Sequence, residues 1–503
     1  MRCLVTGATG YIGGRLVPEL LAAGHEVRCL ARSPEKLRDH PWTPEVETVR
    51  GDVTDGASLD AAMEGVDVAY YLVHALGTGS GFEETDRRAA RTFGTRARAA
   101  GVRRIVYLGG LTPVGVPERE LSPHLRSRAE VGRVLLDSGV PTAVLRAGVI
   151  IGSGSASFEM LRYLSERLPV MVTPSWVRTR TQPIAVRDVL RLLVGCAALP
   201  REVHRTFDIG GPEVLTYRDM MLRYAAVAGL RRRIILPVPV LTPRLSSLWV
   251  GLVTPVPNAI ARPLVESLRH EVVCTERDIA RYVPDRPGGR IGLDRALELA
   301  LRRIRDADVA TRWSSAATPG APSDPLPTDP DWAGGSLYTD DRARPVAATP
   351  QNVWRVVEGI GGENGWYSLP VAWALRGWID TLMGGVGLRR GRRDATRLRV
   401  GDSLDFWRVE EVRPPRLLRL RAEMRLPGLA WLEMRVDRGP AGSAVYRQRA
   451  LFHPRGLAGH LYWWGVWPWH ALVFGGMARN IAAKAEADGN GGNGPGDGTA
   501  PGR

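Results

Sequence analysis

The chain has 503 residues, of which 44% are hydrophobic, 24% charged and 7% aromatic. That balance excludes disordered and fibrous classes and sets an expectation of about two to four domains. The net charge of +15 arises from 68 basic against 53 acidic residues, yet Lys36 and Lys484 are the only lysines. Phosphate attracts lysine and arginine alike, so this exclusion of lysine reads as a coding bias and argues against a nucleic-acid surface. Cys3, Cys29, Cys196 and Cys274 lie far apart with no CxxC pair, which excludes a disulfide scaffold and a zinc ribbon and suits a reducing compartment.

The start, MRCLVTGATG, has no charged-then-apolar leader, so a cytoplasmic chain is expected. The first 150 residues alternate strand and helix. Strand CLVTG (3–7) leads to helix IGGRLVPELLAAG (12–24), which ends at a C-cap-like Gly24. Strands follow at 25–31 and 46–52, a helix at 58–65, a strand at 66–73 and a helix at 87–101. A strand at 103–110, a helix at 124–139 and a strand at 142–151 complete the series. Repeated βα units predict an α/β fold, a Rossmann-type doubly wound parallel sheet. The pattern continues less regularly through 182–197 and 205–211 as a small substrate lobe.

Residues 306–345 carry Pro319, Pro322, Pro325, Pro327, Pro330 and Pro345 and little apolar periodicity, which predicts a linker between a domain at 1–305 and a second at 346–488. The second domain is expected to be α+β, with a helix at 350–360, strands at 402–412, 416–426, 430–439 and 443–453, and a closing helix at 460–486. The Gly-rich tail, 489–503, reads as disordered.

TGATGYIGG places Gly7, Gly10 and Gly13 as GxxGxxG between a predicted strand and a predicted helix. Glycines there allow a tight turn and close backbone approach to a pyrophosphate, and the helix N-terminus favours the anion. The alternative is a tight turn that binds nothing. The second strand ends Leu30-Ala31-Arg32-Ser33 with no acid. An acid there would accept from a ribose hydroxyl, whereas Arg32 and Ser33 suit a 2′-phosphate. In so arginine-rich a chain Arg32 also reads as a plain surface residue. Asp52, closing the third strand, reads as an adenine contact or as a turn cap.

These segments, with AVLRAGVIIGSGS (143–155), QPIAVRDV (182–189) and FDIGGPEVLTYRDMM (207–221), resemble the atypical, extended short-chain dehydrogenase/reductases. The similarity is to the NmrA-like sensors and to the Rossmann-type accessory subunit of respiratory complex I. The resemblance covers residues 1–305 and implies NAD(P) binding at Gly7, Thr9, Gly10, Tyr11, Ile12 and Gly13. Arg32, Ser33, Asp52, Val53 and Val73 would complete the cofactor site. NADP(H) is the expected cofactor, with NAD(H) as the alternative, and no metal is expected.

Catalytic members of that superfamily use a Ser, and a Tyr four residues before a Lys. Here Leu108-Gly109-Gly110-Leu111 has glycine at the serine position, His124 stands at the Tyr position and Arg128 at the Lys position. His124 and Arg128, at i and i+4, share a helix face. They read either as a modified dyad, the imidazole moving a proton and the guanidinium holding ribose or phosphate, or as a helix-terminal histidine and a surface arginine. His74, after the fourth strand, faces the expected cofactor edge, with a loop histidine as the other reading.

The second domain resembles the helix-grip fold of START and polyketide-cyclase-like proteins through VWRVVEGIGGENGW (353–366), DFWRVEEV (405–412), LRAEMRLPGLAWLEM (420–434) and the final aromatic helix. That resemblance implies an apolar cavity between sheet and helix, suited to a hydrophobic small molecule. Trp463, Trp464, Trp467 and Trp469, with His460 and His470 nearby, read as core, with one or two lining a cavity. The stretch 456–478 has no Asp, Glu, Lys or Arg and is long enough to span a bilayer, but Pro468, its histidines and the sheet's need of a covering helix argue against a span. The stretch 235–261, broken by Arg244 and five prolines, reads as a membrane-surface piece or as a lid over an apolar substrate.

The functional expectation is an NADPH-dependent oxidoreductase acting on a hydrophobic carbonyl or quinone-like substrate. A non-enzymatic NAD(P)H sensor or assembly factor and a membrane-surface quinone or lipid handler are the alternatives.

Overall fold

The structure is a computed structural model and describes residues 1–74, 81–238, 253–305, 336–361, 365–367, 397–424 and 426–490. It divides into two units, Met1–Gly335 and Ser336–Arg503.

In the first unit the elements run β1 (Arg2–Thr6), α1 (Tyr11–Ala22), β2 (Glu26–Ala31), β3 (Glu47–Arg50), α2 (Gly56–Met63), β4 (Val68–Tyr71), α3 (Phe82–Ala99), β5 (Arg104–Gly110), α4 (Pro123–Leu136) and β6 (Thr142–Ala147). They continue with β7 (Ile150–Ile151), α5 (Ala156–Arg167), β8 (Val170–Pro174), β9 (Arg180–Thr181), β10 (Ile184–Ala185), α6 (Val186–Gly195), β11 (Arg205–Ile209), β12 (Leu215–Thr216), α7 (Tyr217–Val227), β13 (Ile234–Val238), α8 (Asn258–Ser267) and α9 (Leu293–Arg305).

Seven strands form one parallel sheet in the order β11-β6-β5-β4-β1-β2-β3. The order reverses between β1 and β4, and that switch point is where doubly wound sheets bind ligands. Cys3, Leu4 and Val5 have no exposed surface, as a central strand covered on both faces requires. Alternate residues feed two cores. Cys3, Val5, Leu145 and Ala147 meet α1 and α6 on one face, and Leu4, Tyr107 and Val144 meet α2, α3 and α4 on the other. Helix α3 buries Asp86, Ala89, Ala90, Phe93 and Ala97 along one stripe, with Glu83 and Glu84 in its first turn and Arg96 and Arg98 in its last, matching the helix dipole.

The predicted strand 142–151 is two strands. After Ala147 the chain leaves the sheet, and Ile150 and Ile151 pair with Ile184 and Ala185 instead. The lobe beyond β6 has its own core, with Phe158, Leu161, Met171, Tyr224 and Leu297 buried together. Of the stretch 235–261, residues 239–252 lie outside the described residues.

In the second unit β14 (Tyr338–Val346), α10 (Pro350–Glu358), β15 (Ser403–Leu404), β16 (Trp407–Arg413), β17 (Leu417–Ala422), β18 (Gly428–Arg438), β19 (Ala444–Pro454) and α11 (Gly456–Asn490) form a separate α+β body. Its six strands are antiparallel in the order β14-β19-β18-β17-β16-β15. Phe474, Met477, Ala478, Ile481 and Ala485 of α11 share a core with Leu418, Leu420, Leu432, Met434 and Tyr446 of the sheet.

The linker expectation is corrected here, because Tyr338–Val346 is a strand paired along its length with β19. It is an edge strand in which only Asp340 and Val346 are buried, so it lacks the apolar alternation that marks a strand, and an edge tolerates Pro345. Residues 306–335 and 491–503 lie outside the described residues. The tail expectation is corrected at its start, since α11 runs on to Asn490. Among the described residues no helix is long and apolar enough to cross a membrane.

Candidate functional site

The three glycines of the first loop do three different jobs. Gly7 turns the chain out of β1 with φ +77°, and a Cβ on it would stand 2.6 Å from the Leu72 carbonyl oxygen. Gly13 lets α1 pack on the turn, since its Cβ would stand 2.2 Å from the Gly7 carbonyl oxygen. Gly10 is exposed, and its Cβ would meet only that same oxygen, at 3.2 Å. The fold itself therefore demands the first and third glycines, while the second leaves open the surface at the helix N-terminus. There Gly10 is the N-cap with no side-chain hydrogen bond, and the first turn of α1 has no acid. This cradle fits a pyrophosphate, which the backbone N–H groups and the helix dipole would hold.

Thr9 and Ile12 flank Gly10 and are half-buried. Tyr11 reaches across to the loop after β7, where a Cβ on Gly152 would lie 2.2 Å from its hydroxyl. Arg15, one turn into α1, is buried; its guanidinium lies 4.2 Å from the Tyr11 ring centroid and donates to the Tyr11 carbonyl at 3.1 Å. It brings a positive charge to the cradle that sequence reasoning did not select.

Beyond β2, Arg32 is exposed and Ser33 half-buried. Arg50, the last residue of β3, pairs in register with Ala31, donates to the Arg32 carbonyl at 3.3 Å and forms an ion pair with Glu35 at 3.0 Å. Two arginines thus end adjacent strands; the general arginine bias hid the second. The Asp52 carboxylate accepts from the Thr54 N–H at 2.8 Å and the Thr54 hydroxyl at 2.7 Å, so it serves as a turn cap. Val53 is buried next to it, and Val73 follows β4, its N–H 3.4 Å from the Cβ position of Gly7.

At the C-terminal ends of β4 and β5 the structure gathers a histidine pair. His74 Nδ1 lies 3.0 Å from Asp86 Oδ2, which also accepts from the Ser127 hydroxyl at 2.9 Å. The carboxylate favours the Nδ1–H tautomer and leaves Nε2 as the acceptor; that atom is buried with no hydrogen-bond partner among the described residues. The His124 ring is 5.3 Å from that of His74, and its Nδ1 is 3.3 Å from the Ser267 hydroxyl of α8. Asp86 stands one residue before the predicted helix 87–101 and was not selected, because α3 begins earlier, at Phe82, and Ser267, distant in sequence, left no signal.

Burial, then the neighbouring His74 and Arg128, lower the His124 pKa to about 3, with Asp86 opposing. Burial and Arg128 lower that of His74 as well. Both rings are therefore neutral at neutral pH, and His124 holds no imidazolium proton to give there. Arg128 donates to the Leu108 carbonyl at 2.7 Å and lies 5.4 Å from the Tyr107 ring centroid, so its guanidinium is clamped onto β5. Gly110, near the missing serine, has room for a side chain, because its Cβ would be 3.5 Å from Leu125 and 3.9 Å from Arg128.

A cavity of about 270 Å³ lies alongside α4, lined by Thr112, Glu118, Arg128, Arg133, Arg146 and Thr206 among others, and by no residue of the glycine loop. It borders the Arg128 side of the site rather than the cofactor cradle. Among the described residues no cluster of His, Cys, Asp or Glu could hold a metal ion.

Residues 7–156 match the family model described as NAD(P)H-binding. Over 232 residues the chain is 33% identical to the (4-alkanoyl-5-oxo-2,5-dihydrofuran-3-yl)methyl phosphate reductase of Streptomyces griseus subsp. griseus, covering 45% of this chain and 73% of that one. The chain belongs to the NAD(P)H-binding reductases. Another relative, the ceramide reductase of Caulobacter vibrioides, is 31% identical over 246 residues, 47% of this chain and 73% of its own. The 3-beta-hydroxysteroid dehydrogenase of Mycolicibacterium neoaurum is 36% identical over 116 residues, and the chain spans only 31% of its length. Among solved structures, the triphenylmethane reductase of Citrobacter sp. complexed with NADP(H) has a TM-score of 0.47 and 20% identity, covering 60% of this chain and 100% of that one. Residues 332–477 match a protein family of unknown function, DUF2867, which starts before β14, in line with the corrected boundary.

Proposed function

We propose that the first unit is an NADPH-dependent reductase of an apolar carbonyl or quinone-like substrate, and that the second is a helix-grip-like module that holds a hydrophobic ligand. The observation that carries the reading is the open N-terminus of α1 at Gly10, which is exposed and whose Cβ position is far less crowded than those of Gly7 and Gly13. The names of the ceramide reductase and the steroid dehydrogenase support an apolar substrate. For the second unit the support is one antiparallel sheet with a long C-terminal helix in its core.

Bound reduced nicotinamide supplies a hydride. The glycine loop and Arg15 hold the pyrophosphate, and Arg32, backed by Arg50, selects the 2′-phosphate. Asp86 fixes the His74 tautomer beside the reacting end. With His124 neutral, the proton that completes the product oxygen comes from water or from the substrate lobe. The clamped Arg128 and the depressed His124 favour one second reading, a nucleotide sensor without turnover.

Calorimetry tests the cofactor. NADPH should bind at least about tenfold tighter than NADH, since a charge-assisted contact to the phosphate is at stake, and Arg32→Ala should erase the difference. Equal affinities in the wild type reject the phosphate selection, and absence of binding rejects the whole reading. NADPH binding without turnover of any carbonyl or quinone offered moves the assignment to the sensor.

A further inference from the structure

Helix α11 carries its apolar residues on two faces. One face is core, with Trp463, Phe474 and Met477 buried against the sheet. On the opposite side Leu457, Leu461, Trp464, Trp469 and Leu472 are exposed, with Leu461 at 63%, Trp464 at 62%, Trp469 at 64% and Leu472 at 56%. At 100° per residue these five fall on one stripe with Pro468, running for roughly four turns along the helix. Single exposed hydrophobes need no explanation, but a continuous stripe does. Nothing in 456–478 is charged, whereas Arg455 precedes the stripe and Arg479 follows it, both exposed.

We propose that this stripe seats the second unit on an anionic lipid bilayer, with α11 lying in the plane of the interface. Tryptophan prefers that depth, where its ring is apolar and its N–H can stay wet. Leu461 and Leu472 enter the acyl boundary, and Arg455 and Arg479 meet lipid phosphates at the two ends. The helix does not cross, since its other face is committed to the sheet. A second copy fits less well. Both ends of the stripe are cationic and its centre has no acid, so two stripes packed face to face bring arginine against arginine whichever way they run. The proposal is independent of the nucleotide site.

The test is vesicle flotation of the full chain, with phosphatidylcholine alone and with added phosphatidylglycerol. The protein should float with the anionic vesicles. Trp464→Ser with Trp469→Ser should weaken binding at least about tenfold, because two large apolar contacts are lost. These side chains are exposed, so the melting temperature should hold, which separates lost binding from lost folding. Arg455→Glu with Arg479→Glu should remove the preference for the anionic lipid. A wild type that never floats, or a tryptophan variant that floats as well as the wild type, overturns the proposal. So does a wild-type dimer that the tryptophan variant dissociates, since the stripe would then be a self-interface.

Discussion

A methyl group at Gly13 would sit 2.2 Å from a backbone oxygen, whereas one at Gly10 would meet the same oxygen at 3.2 Å and nothing else within 4 Å. Gly13→Ala must therefore shift backbone and should cost about 1–3 kcal/mol of stability, as overpacking does. Gly10→Ala asks that oxygen to give by only a few tenths of an ångström, so it should cost clearly less stability than Gly13→Ala while weakening nucleotide binding. Thermal melts and calorimetry on the pair check this, and equal losses of stability would show that Gly10 too is a packing residue.

His124 gives a pH dependence of definite sign. Its folded pKa of about 3 lies below its ordinary 6.5, so between those values the unfolded chain binds a proton that the folded chain refuses. Stability is full above pH ~6.5 and is lost as pH falls toward the folded value. Melting temperature should drop on acidification through this window, and His124→Gln should flatten the slope. A variant with the wild-type slope would mean that His124 titrates normally in the fold. By the same logic turnover should show no step near pH 6.5 arising from this ring.

At the scale of elements, the parallel sheet was legible because its central strands are apolar runs and its helices have a single buried stripe. The glycine loop was legible because spacing and flanking elements coincide. What the sequence hid depends on tertiary partners. Asp340 of β14 is buried by pairing and by the ion pair of its carboxylate with Arg342 at 2.8 Å, so a strand written TDDRARP looked like linker. The histidine pair at β4 and α4 needed Asp86 from α3 and Ser267 from α8 to define its chemistry, and no local pattern announces such distances.

Another hidden feature is the ionic ladder on one face of the second sheet. Glu433, almost wholly buried, takes Arg419 at 2.9 Å and Arg449 at 2.9 Å from the neighbouring strands, and Arg419 also meets Glu411 at 2.7 Å. Removing the central carboxylate takes this partner from the half-buried Arg449 and leaves Arg419 with Glu411, which costs about 1–3 kcal/mol, as losing charge-assisted hydrogen bonds does. Glu433→Ala should lower the stability of the full chain by that order in denaturant melts. A loss under about 1 kcal/mol would show the ladder to be no better than a surface pair.

At the scale of the whole molecule, each unit closes its own core. The first is built from the two faces of the parallel sheet and the lobe, and the second from one sheet face and α11. Each described residue placed at the candidate nucleotide site, from Gly7 to Ser267, belongs to the first unit. The described buried residues that position Gly10, Arg32 and the histidine pair all lie in the first unit. A fragment of residues 1–305 should fold cooperatively and bind NADPH with a dissociation constant within about threefold of that of the full chain, since domains with separate cores behave additively. A folded fragment that has lost NADPH would show that the second unit contributes to the site. A fragment that binds normally but no longer reduces a substrate handled by the full chain would assign the second unit to delivery of the apolar ligand, because the hydride acceptor would be missing while the cradle stays intact.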